Sequence, residues 1–84
     1  MTKAEKRLRR LLSVPSDLTW DELVALLADV GFREVSTTGG SYRTFVARSG
    51  RKIFIHRPHP SAVLKRYAIR EIIGVLEELG ILRG

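Results

Sequence analysis

The two imidazoles of this 84-residue chain, His56 and His59, stand three residues apart in Ile53-Phe54-Ile55-His56-Arg57-Pro58-His59-Pro60. A second β-type run, Gly39-Gly40-Ser41-Tyr42-Arg43-Thr44-Phe45-Val46, precedes it, and Arg48-Ser49-Gly50-Arg51 has the composition of the turn between them. Imidazole passes protons near neutral pH because its unperturbed pKa is about 6.5, whereas a tyrosine phenol, at about 10, is a poor base but can donate a proton or hydrogen bond. Strand side chains alternate between faces, so Arg43, Phe45 and Ala47 share one side and Tyr42, Thr44 and Val46 the other. With Phe45 inward, Ile53 and Ile55 join it, and Lys52, Phe54 and His56 fall on the face of Tyr42. That mixture of aromatic and basic groups is what single-stranded RNA uses for stacking and phosphate contact; an ordinary sheet surface with a half-buried Phe54 is the alternative.

Composition points the same way. Fifteen Lys and Arg oppose nine Asp and Glu, for a formal net charge of +6, and eleven of the fifteen are Arg, which favours planar, bidentate contact with phosphate. The absence of cysteine excludes a disulfide framework, a thiolate nucleophile and a cysteine zinc site. His56 and His59 have no carboxylate nearby in sequence, so no metal site and no cofactor are expected. The longest apolar run, Leu23 to Ala28, is far short of the roughly 20 residues of a membrane span, and Arg7, Arg9 and Arg10 interrupt any signal-peptide core. The chain reads as cytoplasmic and as a single domain over residues 1–84.

The elements that must hold these residues are well marked. Thr2-Lys3-Ala4-Glu5 and Thr19-Trp20-Asp21-Glu22 both have the form of a capping box. The first helix should bury Ala4, Leu8, Leu11 and Leu12 and stop before Pro15. It either lays Lys3, Lys6, Arg7 and Arg10 on phosphates or covers one edge of the core. The second should bury Trp20, Leu23, Val24, Leu27 and Val30, with Leu18 and Leu23 as a hydrophobic staple, Gly31 as C-terminal cap and Trp20 as a core anchor. Phe32 to Val35 reads as a short strand. A last helix after Ser61 to Lys65 should bury Ile69, Ile72, Ile73, Leu76 and Leu79 and end at Gly80, with Ile81 folded back. Lys65, Arg66 and Arg70 gather at its N-terminal end, where the helix dipole favours anions. The order implies an α+β fold, a three-stranded antiparallel sheet with helices on one face. No Gly-rich phosphate-loop motif occurs, and a DNA-reading helix-turn-helix is disfavoured because no short turn joins two helices.

Gly31-Phe32, Gly40-Ser41, Phe45, His59-Pro60, Leu64-Lys65, Ile69, Ile72 and Gly80-Ile81, in this order and spacing, resemble the HicA family of toxin–antitoxin systems over about Leu18 to Leu82. The resemblance implies a fold similar to double-stranded-RNA-binding domains over residues 18–84, α-β-β-β-α, with residues 1–17 as an N-terminal helical extension. It implies an mRNA endoribonuclease that needs no metal, and a HicB-like antitoxin that binds it in a hetero-oligomer and neutralises it.

One departure matters. Family members carry Gly-Ser-His, with a catalytic histidine, where this chain has Gly40-Ser41-Tyr42. Tyr42 then marks a catalytically silent copy, a site whose work has passed to His56 or His59, or a position altered to abolish toxicity. As an RNase the chain would use Tyr42, His56 and His59 as its catalytic set, His56 being the first choice of base. Ser41, Arg43, Lys52, Phe54, Lys65, Arg66 and Arg70 would then contact RNA. As a binding module it would hold RNA or a protein and catalyse nothing.

Overall fold

The computed structural model describes residues 2–35, 42–58 and 63–81. Its elements follow the order read from the sequence: α1 (Lys3–Leu12), α2 (Trp20–Asp29), β1 (Phe32–Val35), β2 (Tyr42–Ala47), β3 (Lys52–His56) and α3 (Arg66–Glu78). The strands form one antiparallel sheet in the order β1-β2-β3. Both capping boxes begin helices: Thr2 Oγ1 accepts from the Glu5 N–H at 3.1 Å, and Thr19 Oγ1 from the Glu22 N–H at 3.2 Å. The staple residues Leu18 and Leu23 are both buried, which fixes the angle at which the chain enters α2.

Alternation along the strands places Phe32, Phe45, Ile53 and Ile55 on one face of the sheet. There they join Leu11, Leu18, Trp20, Leu23, Leu26, Leu27, Leu64, Ile69, Ile72 and Leu76 in one buried cluster. The helices therefore cover a single face, as expected of this α+β arrangement. Trp20 sits inside this cluster with its ring 5.9 Å from that of Phe45, a core anchor. The expected stripes need two corrections. Leu12 is 46% exposed and Leu26 is buried; α1 touches the core along the line of Leu8 and Leu11, so Leu12, one residue on, turns outward.

α3 ends in a Schellman motif. Gly80, at φ +71°, donates to the Glu77 carbonyl at 3.0 Å, and the Ile81 N–H reaches the Leu76 carbonyl at 3.0 Å. α1 ends less comfortably, at Val14 with φ +47°. A β-branched residue in the left-handed region stores about 1–3 kcal/mol. The conformation turns the chain out of α1 ahead of Pro15, whose ring disfavours helical backbone at Val14. The approach to α3 is tied back to the approach to α2: the Leu64 N–H donates to the Leu18 carbonyl at 2.8 Å, and Thr19 and Val63 form an isolated antiparallel bridge.

Candidate functional site

The turn sets the register of the site. Ala47 donates to the Arg51 carbonyl at 2.8 Å and accepts from Gly50 at 2.9 Å, with Gly50 at φ +91°. Ala47 and Arg51 thus form a hydrogen-bonded pair, and an antiparallel ladder alternates from there. The opposed pairs Val46–Lys52, Thr44–Phe54 and Tyr42–His56 fall at the other type of position, where side chains stand closer. The Tyr42 and His56 rings accordingly meet edge to face, with centroids 5.0 Å apart and planes at 82°. Lys52, Phe54, His56 and Tyr42 share the face turned away from the core, as their spacing implied. Phe54 is 65% exposed and Tyr42 58% exposed, so Phe54 is not the half-buried residue of an ordinary sheet surface.

This face continues round the edge strand β3 into a groove of about 790 Å³ that extends to α3. One wall carries Tyr42, Lys52, Phe54 and His56; the other carries Lys65, Tyr67, Ala68, Glu71 and Val75. Ile53, Ile55, Leu64 and Ile72 form its floor by virtue of their burial. Tyr67, 61% exposed, and Glu71 were not among the residues picked out from the sequence. The available signal was their i,i+4 spacing just off the Ile69, Ile72, Leu76 stripe, which places both on one helix face beside the core.

Several expected site residues stand elsewhere. Arg43 lies on the helix-covered face, opposite to Tyr42 and His56, with its Nε 3.8 Å from Glu34. Arg66 and Arg70 are exposed but do not line the groove; Arg70, three residues after Tyr67, stands beside it on the outer flank of α3. Ser41 and His59 lie outside the described residues.

The basic surface is also unevenly committed. Arg7 pairs with Asp29 at 2.8 Å, Arg10 with Glu22 and with Asp17 at 3.0 Å, and Arg51 with Glu78 at 3.1 Å. Glu22 spends its carboxylate on Arg10 and on the Thr19 hydroxyl, and the Arg10 hydrogen bond holds its pKa below the usual carboxylate value. With Leu11 buried as well, α1 serves as a cover for the core. The Arg57 guanidinium stands 5.9 Å from the Trp20 ring centroid, a cation–π distance. Lys52 and Lys65, at the groove, make no ion pair among the described residues.

Among the described residues, no three His, Cys, Asp or Glu side chains stand together as a metal site, and no helix is long and apolar enough to cross a membrane. No curated protein and no solved structure matches the chain. A family comparison matches residues 20–81, from the first residue of α2 to the Schellman cap of α3, to the HicA toxin of bacterial toxin–antitoxin systems. That span exceeds half of the chain and contains the whole sheet and both walls of the groove, and the chain therefore belongs to the HicA toxin family.

Proposed function

We propose that this HicA-family chain binds RNA on the exposed face of β2 and β3 and cleaves it without a metal ion. The observation that carries this reading is the Tyr42–His56 contact, 5.0 Å between ring centroids, on an open face that also presents Lys52 and Phe54. In the proposed reaction His56 removes the ribose 2′-OH proton and the 2′-oxygen attacks the adjacent phosphorus. The P–O5′ bond breaks, a 2′,3′-cyclic phosphate forms, and the departing 5′-oxygen takes the phenolic proton of Tyr42. Lys52 and Lys65, on the two walls, stabilise the charge that builds on the phosphorane oxygens. His59 is retained as the second candidate base and Ser41 as a backbone contact beside Tyr42.

The partner proposed for the toxin is a HicB-like antitoxin whose carboxylates cover the same basic face and form a hetero-oligomer with it, in the cytoplasm. Residues 1–17 are taken as an extension of the family core that packs on it within a single domain.

The test is direct. Purified chain incubated with mRNA in the presence of EDTA should yield fragments ending in 2′,3′-cyclic phosphate, and expression without an antitoxin should arrest growth. Folded protein that binds RNA but leaves it intact would favour a second reading, a catalytically silent RNA-binding module. The phenol in place of an imidazole at Tyr42 is the observation that supports that reading, because tyrosine cannot take over the base half of the cycle at neutral pH.

A further inference from the structure

The large hydrophobic side chains left exposed are unevenly placed on this protein. Among the described residues they are Leu12, Tyr42, Phe54 and Tyr67, and the three aromatic ones all line the groove between β3 and α3. Phe54 stands on the sheet wall and Tyr67 on the helix wall. Exposed aromatics are costly in water unless a ligand covers them. The cations that share the lining with them are Lys52 and Lys65, with Glu71 the one carboxylate among the lining residues.

We infer that this groove is a cleft for single-stranded RNA, in which Tyr67 on α3 and Phe54 on the outward face of β3 stack unpaired bases and Glu71 reads the edge of the base on Tyr67. The inference rests on the RNA reading above and adds its strandedness, its helix-side residues and a base preference. Aromatic walls have value only for bases whose faces are open; in a duplex those faces are hidden in the stack, and recognition falls to phosphates and 2′-hydroxyls across the minor groove. The fold type alone, similar to double-stranded-RNA-binding domains, would suggest the opposite preference. The volume of about 790 Å³ lies in the range of small-ligand pockets, suited to a few splayed nucleotides. Lys52 and Lys65 can then follow the phosphates along the rim while the bases turn inward.

Glu71 supplies the selectivity. It follows Tyr67 by four residues in α3, so its carboxylate stands over the same helix face. It repels phosphate and accepts hydrogen bonds only. Guanine, with adjacent N1–H and N2–H donors, suits it best. Uracil, whose single N3–H is flanked by two carbonyl oxygens, suits it least.

The test uses fluorescein-labelled 2′-fluoro RNA, which lacks the attacking hydroxyl and stays intact, and reads binding by anisotropy. The probes are a ten-residue U strand, the same strand with one central G, and a ten-base-pair duplex. The single strands are expected to bind at least about tenfold more tightly than the duplex. Tyr67→Ala should weaken single-strand binding about tenfold, the loss of one stacked base, and Tyr67→Phe should restore it. Glu71→Gln should abolish the advantage of the G-containing strand. Tyr67 is well exposed, so its variants keep the fold, and circular dichroism with thermal melting verifies that they do. Equal binding of duplex and single strand, or unchanged binding by Tyr67→Ala, overturns the cleft while leaving RNA binding intact. An unchanged base preference in Glu71→Gln overturns the role of Glu71. Loss of a co-expressed HicB-type antitoxin from Tyr67→Ala with RNA binding unaltered assigns the groove to a protein and overturns the inference as well. No binding of any of these RNAs by the folded parent would remove the RNA reading itself.

Discussion

Tyr42 and His56 are directly opposed across β2 and β3, at a position of the ladder where side chains approach closely, and their rings touch edge to face with centroids 5.0 Å apart. Any residue placed at 42 therefore stands beside the imidazole of His56 on an open face. Tyr42→His would set two imidazoles side by side, one able to take a proton while the other gives one. This substitution is expected to create or raise ribonuclease activity by about 10²-fold or more, the usual weight of one acid–base group. A folded Tyr42→His protein as inert and as harmless to growth as the parent would separate this chain from the proposed chemistry.

His56 and His59 can be ranked by single substitutions. His56 continues the alternation of Lys52 and Phe54 onto the face of Tyr42, and a base has to come within about 3 Å of the proton it removes. Any cleavage by the parent should fall by about 10²-fold in His56→Ala and by much less in His59→Ala, measured on a labelled RNA with EDTA present. The reverse ranking would move the reacting centre past the end of β3.

Much of this arrangement was legible in the sequence because the strands alternate cleanly. Phe45, Ile53 and Ile55 leave one inward register open, and that register fixes the company of Tyr42. The two capping boxes and Gly31 and Gly80 marked helix ends with the same clarity, since each answers a local backbone need. The α3 wall was harder to see. Its basic cluster drew attention to Arg66 and Arg70, yet the residues that line the groove are their neighbours Tyr67 and Glu71, and a one-residue step on a helix is a rotation of about 100° that only packing resolves. Arg43 was picked out for its charge, although strand parity already put it on the side of Phe45, where it lies near Glu34.

The N-terminal helix lies outside the family match, yet Leu11 is fully buried in the common core. Leu11→Ala should cost about 2–5 kcal/mol, a large part of the stability of so small a domain. Urea unfolding followed by circular dichroism would show it as a lower midpoint with a similar slope. An effect under about 0.5 kcal/mol would make residues 1–17 a dispensable appendage.

Acid should weaken the same region. The Arg10 hydrogen bond lowers the pKa of Glu22 below its usual value of 4.5. A depressed carboxylate pKa contributes stability that is present above the unfolded value and is lost as pH falls through the folded one. The melting temperature of the parent should therefore exceed that of Arg10→Ala at pH 6 to 7, and the gap should close as pH drops below about 4.5. A gap that persists unchanged at pH 3 would show that Arg10 acts through contacts other than Glu22, such as the Asp17 carbonyl that it reaches at 3.1 Å.

Salt dependence can tell which cations meet RNA. Each phosphate contact to a single strand contributes about 0.7 to the slope of log affinity against log salt. Lys52 and Lys65 line opposite walls of the groove and have no ion pair among the described residues, so both can engage phosphate. Arg43 is on the covered face beside Glu34, and Arg70, although three residues from Tyr67, is not among the residues that line the groove. Lys52→Ala and Lys65→Ala are each expected to weaken single-strand binding and to reduce the slope by about 0.7. Arg43→Ala and Arg70→Ala should leave the slope within error of the parent. The measurement is a titration of labelled single-stranded RNA between 50 and roughly 300 mM salt, a range over which several phosphate contacts change affinity by orders of magnitude. If Arg70→Ala or Arg43→Ala lowers the slope while the two lysine variants do not, the strand follows the outer flank of α3 or the helix-covered face, and the groove is not its path.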